Sequence, residues 1–554
     1  MQTRTAPEVP APVPPPTEPP GRSRRGRWRR FWHRDWWFRD RKAWGRVGIA
    51  SAAGVLLSFA FPPLDLGPLA LVALVPLLWT WREATAKRAF VYGFFFGMVF
   101  AAFLISWIFY FGVVGYFPLM LVAGAFFGAP GALIVTFARF GVRSPLIPAA
   151  TFTLFEQFHG RFPFGGLTWG DFGTALHDFP VARSLASWGG VALVTFLVVL
   201  CNALVFDALV DLRERRVRSL AWAGAGLAAL VVVSAVGYAT RFEPTPAATL
   251  RIATLQGNDI EGDLTPEQIY QLRYLNESHF GLAEQLEGPY DLIVFPESAL
   301  DADPEQDLVL RDRIASIGAA HDSYVLVNAL QPTGEDCQLG LRTDPNAEPC
   351  RSYNTNLLYE PDGTLQGTDA KNHLVPFGEY VPLRDTLKWV EELNQIPYDY
   401  EQGDDTTVFD VRGTGVGTII CFESGFGRLT RDYVRNGAEV IVVTTNNASY
   451  RRSANSDQHI AQSQMRAAET GRPVIHAAIS GKTAWIDADG VVYETTELFE
   501  NETVIGDVTG MTGQTPYVRY GEWVTWASGL GLIAAAAYGR WRIWPHRSTA
   551  SARS

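Results

Sequence analysis

The sequence predicts a polytopic helical membrane domain joined to a separate α/β domain, and three observations support this fold class. The chain has 554 residues, of which 47% are hydrophobic, and it is therefore too long for one ordinary core. Its apolar residues crowd into residues 47–240 and 524–538. Between these regions, short β-rich runs alternate with helical stretches, a pattern typical of a layered α/β domain.

The first 45 residues contain two segments that are not expected to pack. Residues 1–21 are rich in Pro, with Glu, Thr and Ala, and we expect disorder because they have too little apolar surface to bury. The segment that follows is basic and Trp-rich and directly precedes the first apolar run. Such a segment suits the cytoplasmic headgroup region, and a solvated tail is the alternative. Residues 1–45 are thus predicted to be a cytoplasmic arm.

Eight apolar segments are candidates for membrane-spanning helices, because the bilayer core needs about 20 apolar residues per helix. They cover residues 46–62, 66–81, 89–111, 115–138, 145–158, 187–210, 219–239 and 522–539. The fifth segment is the weakest, since it is short and contains Glu156. We keep it because without it the basic loop at 211–218 would change sides of the membrane.

Loop charges support this count and predict the topology. With the arm in the cytoplasm, the loops that return to that side are residues 82–88, 139–144 and 211–218, and all three are basic. The positive-inside rule requires this pattern. We therefore predict seven spans over residues 46–240, an eighth at 520–540, and a cytoplasmic tail at 541–554.

Residues 158–184 connect the fifth and sixth predicted spans but are too polar to cross the bilayer themselves. Their Gly, Pro and aromatic content indicates a re-entrant or interfacial loop on the same side as the α/β domain. A plain connector is the alternative.

Residues 241–519 are predicted to form an extracytoplasmic α/β domain. Several of its β-rich runs are continuously apolar, which is typical of strands covered on both faces. Helical stretches are predicted within residues 266–286, 307–320 and 457–470. The domain therefore combines buried strands with covering helices.

The chain has four cysteines, with no C-x-x-C pair and no zinc-like cluster, so no metal and no cofactor are expected. Cys337 and Cys350 lie thirteen residues apart in a polar insertion, and we predict a disulfide between them outside the cytoplasm. Closing a loop of that size contributes about 3 kcal/mol. Cys201 lies within the sixth predicted span and is expected to be a small hydrophobic residue.

Three polar residues stand at the ends of apolar runs in the α/β domain. Cys421 ends one run before a Gly-rich loop, at the edge of a sheet where ligands bind. A cysteine attacks as the thiolate and needs a proton acceptor and a positive neighbour. Glu297 and Lys371 are placed in the same way and have the required charges. A core cysteine, a surface acid and a solvated loop cation are the plain alternatives.

The segments around these residues resemble the nitrilase superfamily, whose catalytic residues are Glu, Lys and Cys in that order. They read "FPES" around Glu297, "KNHLVPFGEYVP" from Lys371 and "CFES" from Cys421. With seven spans before them and one after, residues 46–540 resemble the apolipoprotein N-acyltransferase family. The resemblance implies an αββα sandwich with these three catalytic residues. Glu379 and Glu423 are expected to orient Lys371 or Cys421, with plain loop carboxylates as the alternative.

The resemblance also implies the reaction and its location. Cys421 would take an acyl chain from a phospholipid as a thioester and pass it to the N-terminal diacylglyceryl-cysteine of a bacterial apolipoprotein. Glu297 would accept the proton and Lys371 would stabilise the oxyanion. We expect a multi-pass protein of the bacterial plasma membrane, monomeric, with no nucleic-acid partner, in line with its formal charge of −10.

Two other functions remain open from the sequence. One is a nitrilase or amidase of small molecules with a membrane anchor, and the other is a transporter or binding protein with an inert α/β domain. Residues 448–453 and 476–481 also depart from the family's usual pattern. These departures are expected to affect acyl-donor and acceptor preference rather than the chemistry.

Overall fold

A computed structural model describes residues 40–259, 274–333, 337–338, 341–342, 351–390, 393, 396 and 398–548. Most of the predicted N-terminal arm lies outside these residues. Cys350 lies outside them too, so its disulfide with Cys337 remains a prediction.

The N-terminal half of the protein is helical. Its helices are α1 (Arg41–Ser58), α2 (Val75–Trp81), α3 (Ala86–Leu104), α4 (Val113–Arg139), α5 (Leu146–His159), α6 (Pro180–Ser184), α7 (Ala186–Arg213) and α8 (Val217–Ala239). Of the helices in the described part of the chain, four are long and apolar enough to cross a membrane: α3, α4 from Gly115, α7 and α8. The other predicted spans contain helices that do not reach this length and apolarity, so the count of eight stays a prediction.

The second predicted span is not a single helix. Residues 66–81 form a 3-10 helix (Gly67–Leu71) followed by α2. The break is held by Asn202 of α7, whose side-chain oxygen accepts the N–H of Leu74 at 2.8 Å while its amide donates to the carbonyl of Ala70 at 2.7 Å. Asn202 thus supplies the hydrogen bonds that the interrupted helix lacks.

The C-terminal half contains the strands and the helices that cover them. The strands are β1 (Thr245–Gln256), β2 (Leu292–Val294), β3 (Tyr324–Thr333), β4 (Cys337–Gln338), β5 (Leu341–Arg342), β6 (Arg351–Tyr359), β7 (Leu365–Ala370), β8 (Val408–Val411), β9 (Thr414–Ile420), β10 (Val440–Thr445), β11 (Val474–Ala478), β12 (Ala484–Ile486), β13 (Val492–Thr495) and β14 (Glu502–Thr512). The helices are α9 (Tyr274–Ala283), α10 (Leu308–His321), α11 (Arg384–Leu387), α12 (Gly427–Arg435), α13 (Asn455–Thr470), α14 (Pro516–Tyr520) and α15 (Trp523–Ser548).

Two six-stranded sheets pack face to face in this half. Their strand orders are β14-β1-β2-β3-β6-β7 and β13-β12-β11-β10-β9-β8. One buried cluster joins the inner faces, with Ile252 and Val294 from the first sheet against Val442 and Ile475 from the second. Helices α9 and α10 cover the outer face of the first sheet, and α12 and α13 cover that of the second. The four layers confirm the predicted α/β sandwich.

Helix α13 lies between the second sheet and the helical domain. Met465 and Ala468 belong to the apolar cluster of the membrane domain, whereas Ile460 and Ala467 pack with the sheet. Within α13, only Asp457 is not buried, although the helix is polar on most of its faces. Its polar side chains therefore need hydrogen-bond partners in both domains.

Candidate active site

Cys421 lies where β9 ends and a short 3-10 helix (Cys421–Gly425) begins. Its backbone φ is +54°, a left-handed conformation that is uncommon for a residue with a side chain. The turn ends the strand abruptly and places a buried thiol at the carboxyl edge of the sheet. Gly425, at the other end of the turn, leaves no room for a side chain, because a Cβ there would lie 2.5 Å from Oγ1 of Thr168.

Glu297 and Lys371 reach this edge from the facing sheet. Glu297 follows β2 and Lys371 follows β7, and both side chains are buried. The Nζ atom of Lys371 lies 3.5 Å from Oε1 of Glu297 and donates to Oε1 of Glu379 at 2.6 Å. Burial lowers the pKa of Lys371, but the two carboxylates and Cys421 raise it well above its ordinary value. The ammonium group is therefore charged at neutral pH.

The thiol of Cys421 interacts electrostatically with both residues. Burial raises its pKa to about 12, and the negative charge of Glu297 contributes to the rise. Lys371, the hydroxyl of Thr445 and the N–H of Asn446 act in the opposite direction. The resting cysteine is thus a neutral thiol, which needs a base before it can attack.

The carboxylate of Glu297 is fixed by two hydrogen bonds. Its Oε2 accepts the backbone N–H of Asn446 at 2.7 Å, and its Oε1 accepts the side-chain amide of Asn354 at 2.8 Å. Asn354 is held in turn by the amide of Asn328 at 2.9 Å. These buried asparagines lie inside β3 and β6 and are not among the residues predicted from the sequence. For Asn328 the available signal was an amide side chain within the apolar run at the start of β3.

The structure places Glu379 and Glu423 on different partners. Glu379 contacts Lys371 directly, and its second oxygen accepts the N–H of Val375 at 2.8 Å. Glu423 accepts the N–H groups of Asn372 and His373 at 2.6 and 2.8 Å through Oε1 and that of Ile420 at 2.9 Å through Oε2. Glu423 therefore joins the backbone after Lys371 to the backbone before Cys421.

A row of aromatic rings begins at Phe422, the residue that follows Cys421, and we call its five residues the aromatic row. They are Phe422, Trp169, Trp107, Tyr450 and Phe111. Successive ring centroids lie 5.9, 5.8, 4.8 and 5.4 Å apart. Trp107, Trp169 and Phe111 belong to the helical domain, and Phe111 is exposed. The row thus runs from the cysteine to the surface of the helical domain.

One cluster in the described part of the chain has the composition of a metal site: Asp65, His177 and Asp178. The two nitrogens of His177 face different carboxylates, with Nε2 3.1 Å from Asp65 and Nδ1 3.4 Å from Asp178. Burial lowers the pKa of His177, but the hydrogen bonds with Asp178 and Asp65 outweigh it and raise the pKa to about 9. This arrangement suits a protonated imidazole between two carboxylates.

Two family models match the two halves of the chain. The family model described as the apolipoprotein N-acyltransferase N-terminal domain matches residues 53–204, and the carbon-nitrogen hydrolase model matches residues 251–517. Among solved structures, an amidase from Nesterenkonia sp. is 16% identical, with a TM-score of 0.32, and the match covers 49% of this chain and 95% of that one.

Full-length relatives give the same result. An apolipoprotein N-acyltransferase of Azotobacter vinelandii is 32% identical, and the match covers 87% of this chain and 93% of that protein. One from Methylococcus capsulatus is 30% identical, with 88% and 94% covered. The carbon-nitrogen hydrolase match, these relatives and the long apolar helices define the class of the protein as a membrane acyltransferase with a nitrilase-like domain. The chain belongs to the apolipoprotein N-acyltransferase family.

Proposed function

We propose that the protein N-acylates bacterial lipoproteins through a thioester on Cys421. In the first step, the thiol proton passes to Glu297 as the sulfur attacks the ester carbonyl of a phospholipid. The tetrahedral oxyanion is stabilised by the ammonium group of Lys371. The C–O bond then breaks, and the departing lysophospholipid oxygen takes the proton from Glu297.

In the second step, the α-amino group of a diacylglyceryl-cysteine attacks the thioester. Its ammonium form has an ordinary pKa of about 8, so Glu297 needs to complete only a modest deprotonation. The C–S bond breaks and the sulfur of Cys421 is protonated again. Lys371 stabilises the second oxyanion as it does the first, a contribution commonly worth about 3 kcal/mol or more.

The observation that carries this proposal is the pairing of a neutral thiol with a base and a cation in one buried site. With a pKa of about 12, Cys421 is almost entirely protonated at neutral pH and cannot attack unaided. Asn354 and Asn446 keep the Glu297 carboxylate in one position, and the Lys371 charge lies 3.5 Å from it. These groups supply what a two-step acyl transfer requires.

The acylation step can be tested without an acceptor. Purified full-length protein incubated with a phospholipid is expected to gain the mass of one acyl chain on the peptide that contains Cys421. Neutral hydroxylamine should remove this chain, since it cleaves thioesters. A diacylated lipopeptide added instead should receive the chain and become triacylated. Acylation at another residue, with transfer from that residue to the lipopeptide, would contradict the proposal.

We also propose that eight helices cross the membrane and that residues 241–519 lie outside the cytoplasm. The basic loops at 82–88, 139–144 and 211–218, all on one side of the predicted membrane, support this topology. The test uses a variant of the protein without its native cysteines, into which either Asp362→Cys, in the α/β domain, or Glu83→Cys, in a basic loop, is introduced. In intact cells treated with a membrane-impermeant maleimide, only the Asp362→Cys variant should be labelled. Labelling at 83 alone would reverse the topology.

A further inference from the structure

Gln458 of α13 uses its entire hydrogen-bonding capacity on the helical domain. Its Oε1 accepts the indole N–H groups of Trp107 and Trp169, each at 3.0 Å. Its Nε2 donates to the carbonyls of Pro62 and Leu104 at 3.0 and 2.9 Å. Two acceptor sites and two donors are the full capacity of a glutamine side chain. Gln458 is buried, so none of these four bonds is replaced by water without rearrangement.

The two tryptophans bonded to Gln458 are the second and third rings of the aromatic row. Trp169 lies against Phe422, the residue that follows Cys421, with the ring planes only 11° apart. Trp107 contacts Tyr450, whose pKa is raised mainly by burial and, to a smaller extent, by the negative charge that Cys421 carries as a thiolate. The next residue of α13, His459, lies with its Nε2 3.0 Å from the carbonyl oxygen of Cys421. One turn of α13 thus contacts both the row and the nucleophile's backbone.

We propose that Gln458 is a positioning residue that determines which fatty acyl chains the enzyme accepts. The acyl chain that Cys421 carries in the proposed reaction is apolar, and the aromatic row offers an apolar surface that extends from Phe422, next to the cysteine, to the exposed Phe111. A wall discriminates between chain lengths only if its rings keep fixed positions, because a loose apolar pocket adapts to its ligand. Gln458 fixes the second and third of the five rings by their N–H groups.

This inference rests on the proposed acylation of Cys421, and one experiment separates the two. Full-length enzyme is given phospholipids that share a headgroup and differ by two methylenes in their acyl chains. The rate of acylation at Cys421 is measured for each. Wild type is expected to favour one length, since one methylene in a fitted pocket changes rates by about 10-fold or more. Absence of an adduct at Cys421 in wild type would refute the proposed function itself.

The decisive variant is Gln458→Met, which is similar in shape but forms none of the four hydrogen bonds. The ratio of rates between the best and worst chains is expected to fall at least about 5-fold toward unity, with a change in the near-ultraviolet circular dichroism of the tryptophans. If Gln458→Met does not fold, Trp107→Phe removes one of the two indole N–H groups and should shift the profile in the same direction. Equal rates for all chains in wild type would overturn the inference.

Gln464→Met is the matched control, because Gln464 also lies on α13 and also bonds to the helical domain. Its Oε1 lies 2.7 Å from Nδ1 of His177, and its Nε2 donates to Asp178 at 2.9 Å, away from the aromatic row. This control should keep the wild-type chain-length profile. The inference fails if Gln458→Met folds and its profile matches that of wild type, since the role of Gln458 would then be structural only.

Discussion

Replacement of Cys421 by alanine is expected to abolish transfer of an acyl chain from a phospholipid to a diacylated lipopeptide. Loss of a covalent nucleophile typically lowers the rate by about 10³-fold or more. The fold should survive, because the change removes one sulfur atom from a side chain that forms no disulfide. The measurement is the yield of triacylated lipopeptide by mass spectrometry, with thermal unfolding followed on the same sample.

Cys201 provides the control for this variant. It is the other free cysteine in the described residues, and it lies in α7, in the helical domain. Cys201→Ala should acylate the lipopeptide at the wild-type rate. Cys421→Ser keeps a hydroxyl at the same place, but without the acidity of a thiol it should remain nearly inactive. Wild-type product from Cys421→Ala would show that another residue carries the acyl chain.

The sequence was sufficient to predict the residues that stand at strand ends. Glu297, Lys371 and Cys421 each follow a strand, and in a sandwich of two sheets the carboxyl ends of such strands face one another. A local sequence pattern thus indicated that residues far apart in the chain lie at the same sheet edge, because the end of a strand determines the edge at which the next side chain lies. The layered architecture was predictable for the same reason, since continuous apolar runs require cover on both faces.

The contacts that join the two domains could not be predicted in this way. Trp107 and Gln458 are 351 residues apart in the chain and meet through a side-chain hydrogen bond, which leaves no periodic signal. The break between Leu71 and α2 depends on hydrogen bonds from Asn202 of α7. Hydropathy predicts residues 66–81 as one continuous span, because it contains no information about a single buried amide on another helix. The many polar residues of α13 were the available clue, since polar side chains on a buried helix must find hydrogen-bond partners in the elements packed against it.

Replacement of Lys371 by methionine is expected to lower both activity and stability. Without the ammonium group, the oxyanion loses its charged partner, and the rate should fall by about 10²-fold to 10³-fold. The carboxylates of Glu297 and Glu379 are then left buried without the cation that lies 3.5 and 2.6 Å from them. Removing one partner of a buried ion pair typically costs about 3–5 kcal/mol, so the midpoint of thermal unfolding should also fall.

A double variant separates these two effects. In Lys371→Met with Glu379→Gln, the cation and one of its two carboxylates are removed together, so only Glu297 keeps a charge, and that charge retains the hydrogen bonds from Asn354 and Asn446. Much of the lost stability should return, because the carboxylate of Glu297 no longer faces a second buried negative charge at residue 379. The acylation rate of Cys421 should nevertheless stay low, since no cation faces the oxyanion. If activity returned together with stability, Lys371 would have only a structural role, and the oxyanion would have to be stabilised by other groups.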